Sequence, residues 1–140
     1  MRVAAVLSAL LSCAALAVPA ARAATFCVGS ATELQNALAT VSGAGGDASN
    51  EIRIKSGIYA RTNPGGASFF LFLTLDRQVV ISGGWTDQSG PCSRRGTVPT
   101  ILQGTAGQFI LQIVQAQGNG SITVRDLQLA DARGATAPPR

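Results

Sequence analysis

Residues 121–132 read Ser-Ile-Thr-Val-Arg-Asp-Leu-Gln-Leu-Ala-Asp-Ala. Ile122 and Val124 alternate with polar neighbours, Arg125 and Asp126 make a polar corner, and Leu127 and Leu129 alternate again. This corner carries neither Pro nor Gly, the residues expected between the strands of a tight hairpin. Two short strands that meet here without reversing describe one corner of a coil, so the rest of the chain is read as earlier coils.

The preceding segments fit that pattern. Residues 25–28 form a short strand. Ser30 and Glu33 stand at capping-box spacing, and Leu34, Ala37, Leu38 and Val41 recur at helical intervals, which predicts a helix over 31–41 with one apolar face. The Gly- and Ser-rich stretch 42–50 ends it. Strands follow at 51–54 and 58–59, after a turn at Gly57. Residues 61–68 are a loop. Residues 69–75, Phe-Phe-Leu-Phe-Leu-Thr-Leu, are the most apolar run after the first 23 residues. They are too short to span a membrane and are expected to be a strand buried on both faces. Strands at 78–82, 100–102, 109–114 and 121–130 complete the set, with a long polar loop at 86–99.

Strand starts recur every 21 positions, at Ile58, Val79, Thr100 and Ser121. A second apolar series lies between them. That spacing predicts a solenoid, each coil stacked about 4.8 Å above the last. The expected inward residues are Ile52, Ile54, Val80, Ile101, Ile110, Ile122, Val124, Leu127 and Leu129. The helix at 31–41 would plug one open end.

The first 23 residues stand apart. Met1-Arg2, an apolar run over 3–18, Pro19 and the small residues Ala21 and Ala23 around Arg22 form a secretory signal peptide, cleaved after Ala23. The alternatives are a membrane anchor, for which the run is short, and lipidation at Cys13, which would leave an apolar tail. The segment 134–140 is a disordered tail without a visible C-terminal cap, which points to a fragment or a shortened relative.

The chain carries 11 Lys and Arg against 7 Asp and Glu, and two of the basic residues, Arg2 and Arg22, leave with the leader. The remainder form no basic run, so nucleic acid is not expected as a partner. Few charges, no His and many β-branched residues describe a secreted β-rich protein. After cleavage two cysteines remain, Cys27 and Cys92. An isolated pair in an oxidising compartment reads as one disulfide, closing a loop of about 65 residues worth roughly 4 kcal/mol. Two buried thiols are the alternative. Two Cys without His offer too few ligands for a metal, and no cofactor is expected.

Cys27, the helix at 31–41, Gly57-Ile58-Tyr59, Gly83-Gly84-Trp85 followed by Cys92, Thr100-Ile101-Leu102 and the 121–129 stretch together resemble the N-terminal part of secreted bacterial right-handed parallel β-helix proteins. The resemblance is to the pectate-lyase-like superfamily and to polymorphic outer-membrane and autotransporter-like surface proteins. It implies an all-β fold of about four short coils over 24–133, truncated, with an N-terminal capping helix.

For enzymes of that superfamily the resemblance implies clustered acids holding calcium with an Arg or Lys base, or paired Asp for hydrolysis. The late acids, Asp126 and Asp131 beside Arg125 and Arg133, read more simply as a polar corner and solvated charges. No catalytic residue is assigned. Trp85, with Arg94 and Arg95, is the one set that would contact a ligand such as a sugar ring, although packing against the Cys27–Cys92 region is the plainer reading of Trp85. Asn119-Gly120-Ser121 matches a glycosylation pattern but reads as turn chemistry. The expectation is an exported surface or periplasmic protein, structural or adhesive, whose partners are cell-surface polysaccharide or a second copy bound at the open end. A carbohydrate-active remnant or glycan-binding segment, or a truncated chain without independent function, are the alternatives.

Overall fold

The computed structural model describes residues 23–43, 45–60, 69–104, 108–116 and 118–131. The expected leader apart from Ala23, the Cys13 alternative, the 61–68 loop and the tail lie outside them. Ten strands and one helix follow in the order β1 (Ala23–Val28), α1 (Ala31–Ser42), β2 (Ser49–Lys55), β3 (Gly57–Ala60), β4 (Phe69–Leu73), β5 (Gln78–Thr86), β6 (Arg94–Arg95), β7 (Thr100–Gly104), β8 (Leu111–Gln115), β9 (Ser121–Arg125) and β10 (Leu127–Asp131).

The strands form three small sheets rather than the predicted right-handed parallel β-helix of four short coils. The first sheet runs β1-β2-β5, and the far edge of β5 is shared between β9 and β6; the second runs β10-β7-β3; the third is β4-β8. Pairing is parallel except for the short antiparallel contact of β5 with β6. The sheets are unequal, and the 21-residue period is not a pairing interval. Ile58 pairs with Ile101 and Val79 with Ile122, so partners stand about two such intervals apart, and the series 58, 79, 100, 121 alternates between two sheets. The apolar pattern fits a period because short apolar strands recur at that spacing, not because successive ones pair with each other.

Short corners join the first sheet to the second. Ser56 alone separates β2 from β3, and Asp126 alone separates β9 from β10. Asp126 has φ 59°, a left-handed conformation that Asp adopts more readily than most residues. The polar corner read from the sequence is therefore this single residue.

The core lies between the sheets and α1. It contains Leu34, Leu38, Ile52, Ile54, Leu71 and Ile81 among others. Helix α1 begins at Ser30, whose Oγ accepts from Glu33 N at 3.1 Å, while Glu33 reaches back to Gly29 N at 2.7 Å. The predicted face (Leu34, Ala37, Leu38, Val41) is the buried one. The helix also serves the outer edge of β4: the Gln35 amide bonds the N–H and C=O of Phe70, and Ser42 Oγ accepts from Phe72 N. Arg77, itself buried, donates to Val41 O and Gly43 O at the helix C-terminus, where carbonyls lack intrahelical partners.

Three packing expectations are corrected. Of the aliphatic residues, β5 buries Val79 and Ile81 rather than Val80, and β7 buries Leu102 rather than Ile101. A shift of one residue moves a side chain to the other face of a strand. Residues 69–73 alternate: Phe69, Leu71 and Leu73 are buried, whereas Phe70 and Phe72 are exposed and stack on each other. The strand is buried on one face only. Among the expected inward residues, Val124 and Leu129 are 42% and 58% exposed, because β9 and β10 have no further strand beyond them among the described residues.

Candidate functional site

The polar groups gather on the outer face of the first sheet. Alternation in β2 buries Asn50, Ile52 and Ile54 and turns Glu51, Arg53 and Lys55 outward. Register then aligns Cys27, Arg53, Ser82 and Arg125 across β1, β2, β5 and β9. Trp85 lies over this row. Its indole N–H donates to Ser82 Oγ at 2.9 Å. The Arg53 guanidinium, from β2, stands 4.3 Å from the ring centroid, and that of Arg95, from β6, stands 4.7 Å away. Trp85 is 9% exposed. Its ring is held by cation–π contacts from both neighbouring strands, which takes up the surface a sugar would stack on.

The same two arginines are tied down further. Arg53 donates to Glu51 Oε2 at 2.8 Å and to Cys92 O at 3.2 Å. Arg95 donates to Gly83 O and pairs with Asp126. Arg94 turns away from Trp85 and donates to Gln88 Oε1. Of the three expected ligand-contact residues, Trp85 and Arg95 come together and Arg94 does not join them. The sequence reading missed Arg53, although its outward place in the alternating Glu-Ile-Arg-Ile-Lys run marks it as a surface cation on the sheet that also carries Trp85.

Cys27 and Cys92 form a disulfide. It pins the 86–93 segment to β1, and Asp87 seconds it by accepting from Cys92 N at 2.9 Å and from Lys55 Nζ at 2.5 Å. The two sulfurs and the Asp87 carboxylate lie within 4.8 Å of one another, but both sulfurs are consumed by the bond between them. The Lys55 hydrogen bond, and then the Cys92 N–H, hold the Asp87 carboxyl below its ordinary value. Burial, then Glu33, pushes the Tyr59 hydroxyl up.

For Asp87 the direction fixes a pH dependence. A lowered folded value means that the ionised form is favoured by folding, so its contribution is present above about pH 4, the ordinary carboxylate value, and fades as pH falls below it. Acid titration of stability is expected to show a slightly shallower low-pH limb in Asp87→Asn. Identical limbs for the two proteins would remove Asp87 from this role.

Two grooves flank the 95–98 segment. One, of about 420 Å³, is lined by Gly84, Arg95, Val98, Asp126, Leu127 and Gln128 among others. The other, of about 290 Å³, includes Ser56, Gln88 and Arg94. The late acids divide: Asp126 is engaged by Arg95 at the wall of the larger groove, and Asp131 ends β10.

Trp85 is the single tryptophan of the chain, so its emission reports this face alone. Arg95→Ala is expected to shift that emission to longer wavelength and to raise acrylamide quenching about twofold, since one of the two guanidiniums that cover the ring among the described residues is lost. Stability should change little, because the Arg95–Asp126 pair is more than a third exposed and exposed pairs contribute about 0–1 kcal/mol. Unchanged quenching would mean that Arg95 does not cover the ring.

No family model, no curated protein and no solved structure matches this chain.

Proposed function

We propose that the chain is an exported structural or adhesive module that acts at the cell surface or in the periplasm. The observation that carries this reading is the Cys27–Cys92 disulfide, which joins residues 65 apart and is the kind of bond that persists in oxidising compartments. The leader-like first 23 residues support the same compartment. The outer face of the first sheet supports a structural role. Arg53 with Glu51, Lys55 with Asp87 and Arg95 with Asp126 satisfy one another, an arrangement that locks a surface rather than presenting charge to a reactant.

The test is expression of the full chain in a bacterial host, followed by fractionation, intact mass and thiol alkylation. The expected product lies outside the cytoplasm, lacks about 23 N-terminal residues and resists alkylation at Cys27 and Cys92. A full-length cytoplasmic chain in which Cys27 and Cys92 are reactive alongside Cys13 would overturn the proposal.

One observation favours a second reading, glycan binding. The larger groove is of ligand size and combines the Arg95–Asp126 pair with the apolar Val98 and Leu127. This relocates the expected sugar contact from the Trp85 ring to the groove beside it. Arg95 is neutralised by Asp126 there, so a neutral oligosaccharide should bind better than an acidic one, and titration of both decides it.

A further inference from the structure

The two ends of the stacked strands are finished differently. At one end α1 lies against β4 and satisfies its edge through Gln35 and Ser42. At the other end β8, β9 and β10 are each paired, among the described residues, on one side only, with β4, β5 and β7. They form one terminal layer, a strand from each sheet. Their inward residues are Leu111 and Ile113, Ile122 and Val124, and Leu127 and Leu129, opposite the buried Phe69, Leu71, Val79, Ile81, Thr100 and Leu102. Edges of this kind are ordinarily guarded by charge, proline or a bulge. Among these three strands only Arg125 and Asp131 are charged, and both stand at a strand end.

We infer that this layer is a docking surface for a second copy of the chain, paired antiparallel about a two-fold axis through Thr123. The choice of occupant rests on self-complementarity. The three strands are each five residues long. A two-fold axis at the middle of β9 pairs that strand with itself, so that Ile122 faces the partner's Val124. The same axis lays β8 over the partner's β10, because the chain runs through the three sheets in a fixed order and the axis reverses it. Ile113 then faces the partner's Leu129. Apolar residues thus meet at the centre of all three strands, while toward the ends Leu111 stands opposite the partner's Asp131 and Leu127 opposite the partner's Gln115. Arg125 faces the partner's Ser121, and no like charges meet. A closed two-fold pairing uses up every one of these edges, whereas a head-to-tail contact would leave a layer open at each step.

The experiment uses the full chain as the cell yields it, purified oxidised, with light scattering after size exclusion over a range reaching about 100 μM, where even a micromolar dimer is populated. The expected species has twice the monomer mass. Val124→Lys and Leu129→Lys, both at exposed positions, should each weaken the dimer at least tenfold while circular dichroism stays that of the parent; each substitution enters the interface twice. Thr123→Cys, next to the axis where opposed Cβ atoms are about 4.5–5.5 Å apart, should cross-link to itself on mild oxidation, and Ser121→Cys should not. A monomer at every concentration, whether because residues after Asp131 cover the layer or because nothing does, overturns the inference. So does a dimer indifferent to both Lys variants, or equal cross-linking at 121 and 123. The inference does not depend on export: a dimer found in the cytoplasm sustains it while overturning the compartment proposed above.

Discussion

Replacing both cysteines, Cys27→Ala with Cys92→Ala, is expected to lower unfolding stability by about 4 kcal/mol. The bond closes a loop of 65 residues, and the chain-entropy relation gives that magnitude for a loop of this length. A domain of this size is held by only about 5–15 kcal/mol, so the bond carries a large share of the total. The local structure favours the full effect. Cys92 is buried and has φ 46°, a conformation that costs a non-glycine residue on the order of 1 kcal/mol and that the disulfide, the Asp87 carboxylate and the Arg53 guanidinium hold together. Without the bond, the 86–93 segment keeps Asp87–Lys55 and Arg53–Cys92 O, both to β2, and the pair at Asp87 is exposed. Urea unfolding of the oxidised chain and of the double variant measures the difference. A loss under about 1 kcal/mol would mean that the denatured chain is already confined, and that the bond does not hold the loop against unfolding. Trp85 emission should change with it, because Arg53 touches both Cys92 and the ring.

The sequence made local structure legible and three-dimensional pairing much less so. The helix, its Ser30 cap and its buried face followed from spacing, because Leu34, Ala37, Leu38 and Val41 see only their own turn and what covers it. The disulfide followed from counting cysteines. The pairing pattern did not follow. Strand order in a parallel sheet is fixed by contacts between segments about 26 to 43 positions apart in this chain, and an apolar rhythm of 21 says only that strands recur. Residue phase failed for a related reason. Val79-Val80-Ile81 and Ile101-Leu102 are apolar on both faces, so alternation is silent, and the face is decided by register with β2 and β3. Phe70 and Phe72 were assigned to the core by hydropathy, but each lies on the outer face of β4 and packs on the other ring. At the candidate site the lone tryptophan near two arginines drew attention to Trp85, Arg94 and Arg95. Arg53 and Asp126, which bind those residues, sit in strands and corners far away in sequence.

The pair Gly83-Gly84 separates two reasons for glycine, and substitution should separate them in turn. Gly83→Ala is expected to cost about 3 kcal/mol. A Cβ at Gly83 would overlap the Asp126 carbonyl and come within 2.7 Å of Leu127 Cδ2 and Thr100 Cβ. These neighbours cannot retreat cheaply. Asp126 is the left-handed corner between β9 and β10. Thr100 is fully buried, and its hydroxyl accepts from Gly84 N while donating to Lys55 O. Overpacking of this kind costs about 1–3 kcal/mol when side chains can shift, and more where backbone must. Gly84 meets nothing closer than Val98 O at 3.9 Å but has φ 75°, so Gly84→Ala should cost about 1–2 kcal/mol, the penalty of a left-handed residue with a Cβ. The order matters more than either value. Gly83 is needed because the β9–β10 corner presses on the backbone of β5; if that corner stood away from β5, Gly83→Ala would fall below Gly84→Ala. Urea midpoints for the two variants therefore test the junction of the first and second sheets directly, and near-neutral behaviour of Gly83→Ala would displace β9 and β10 from the place described for them.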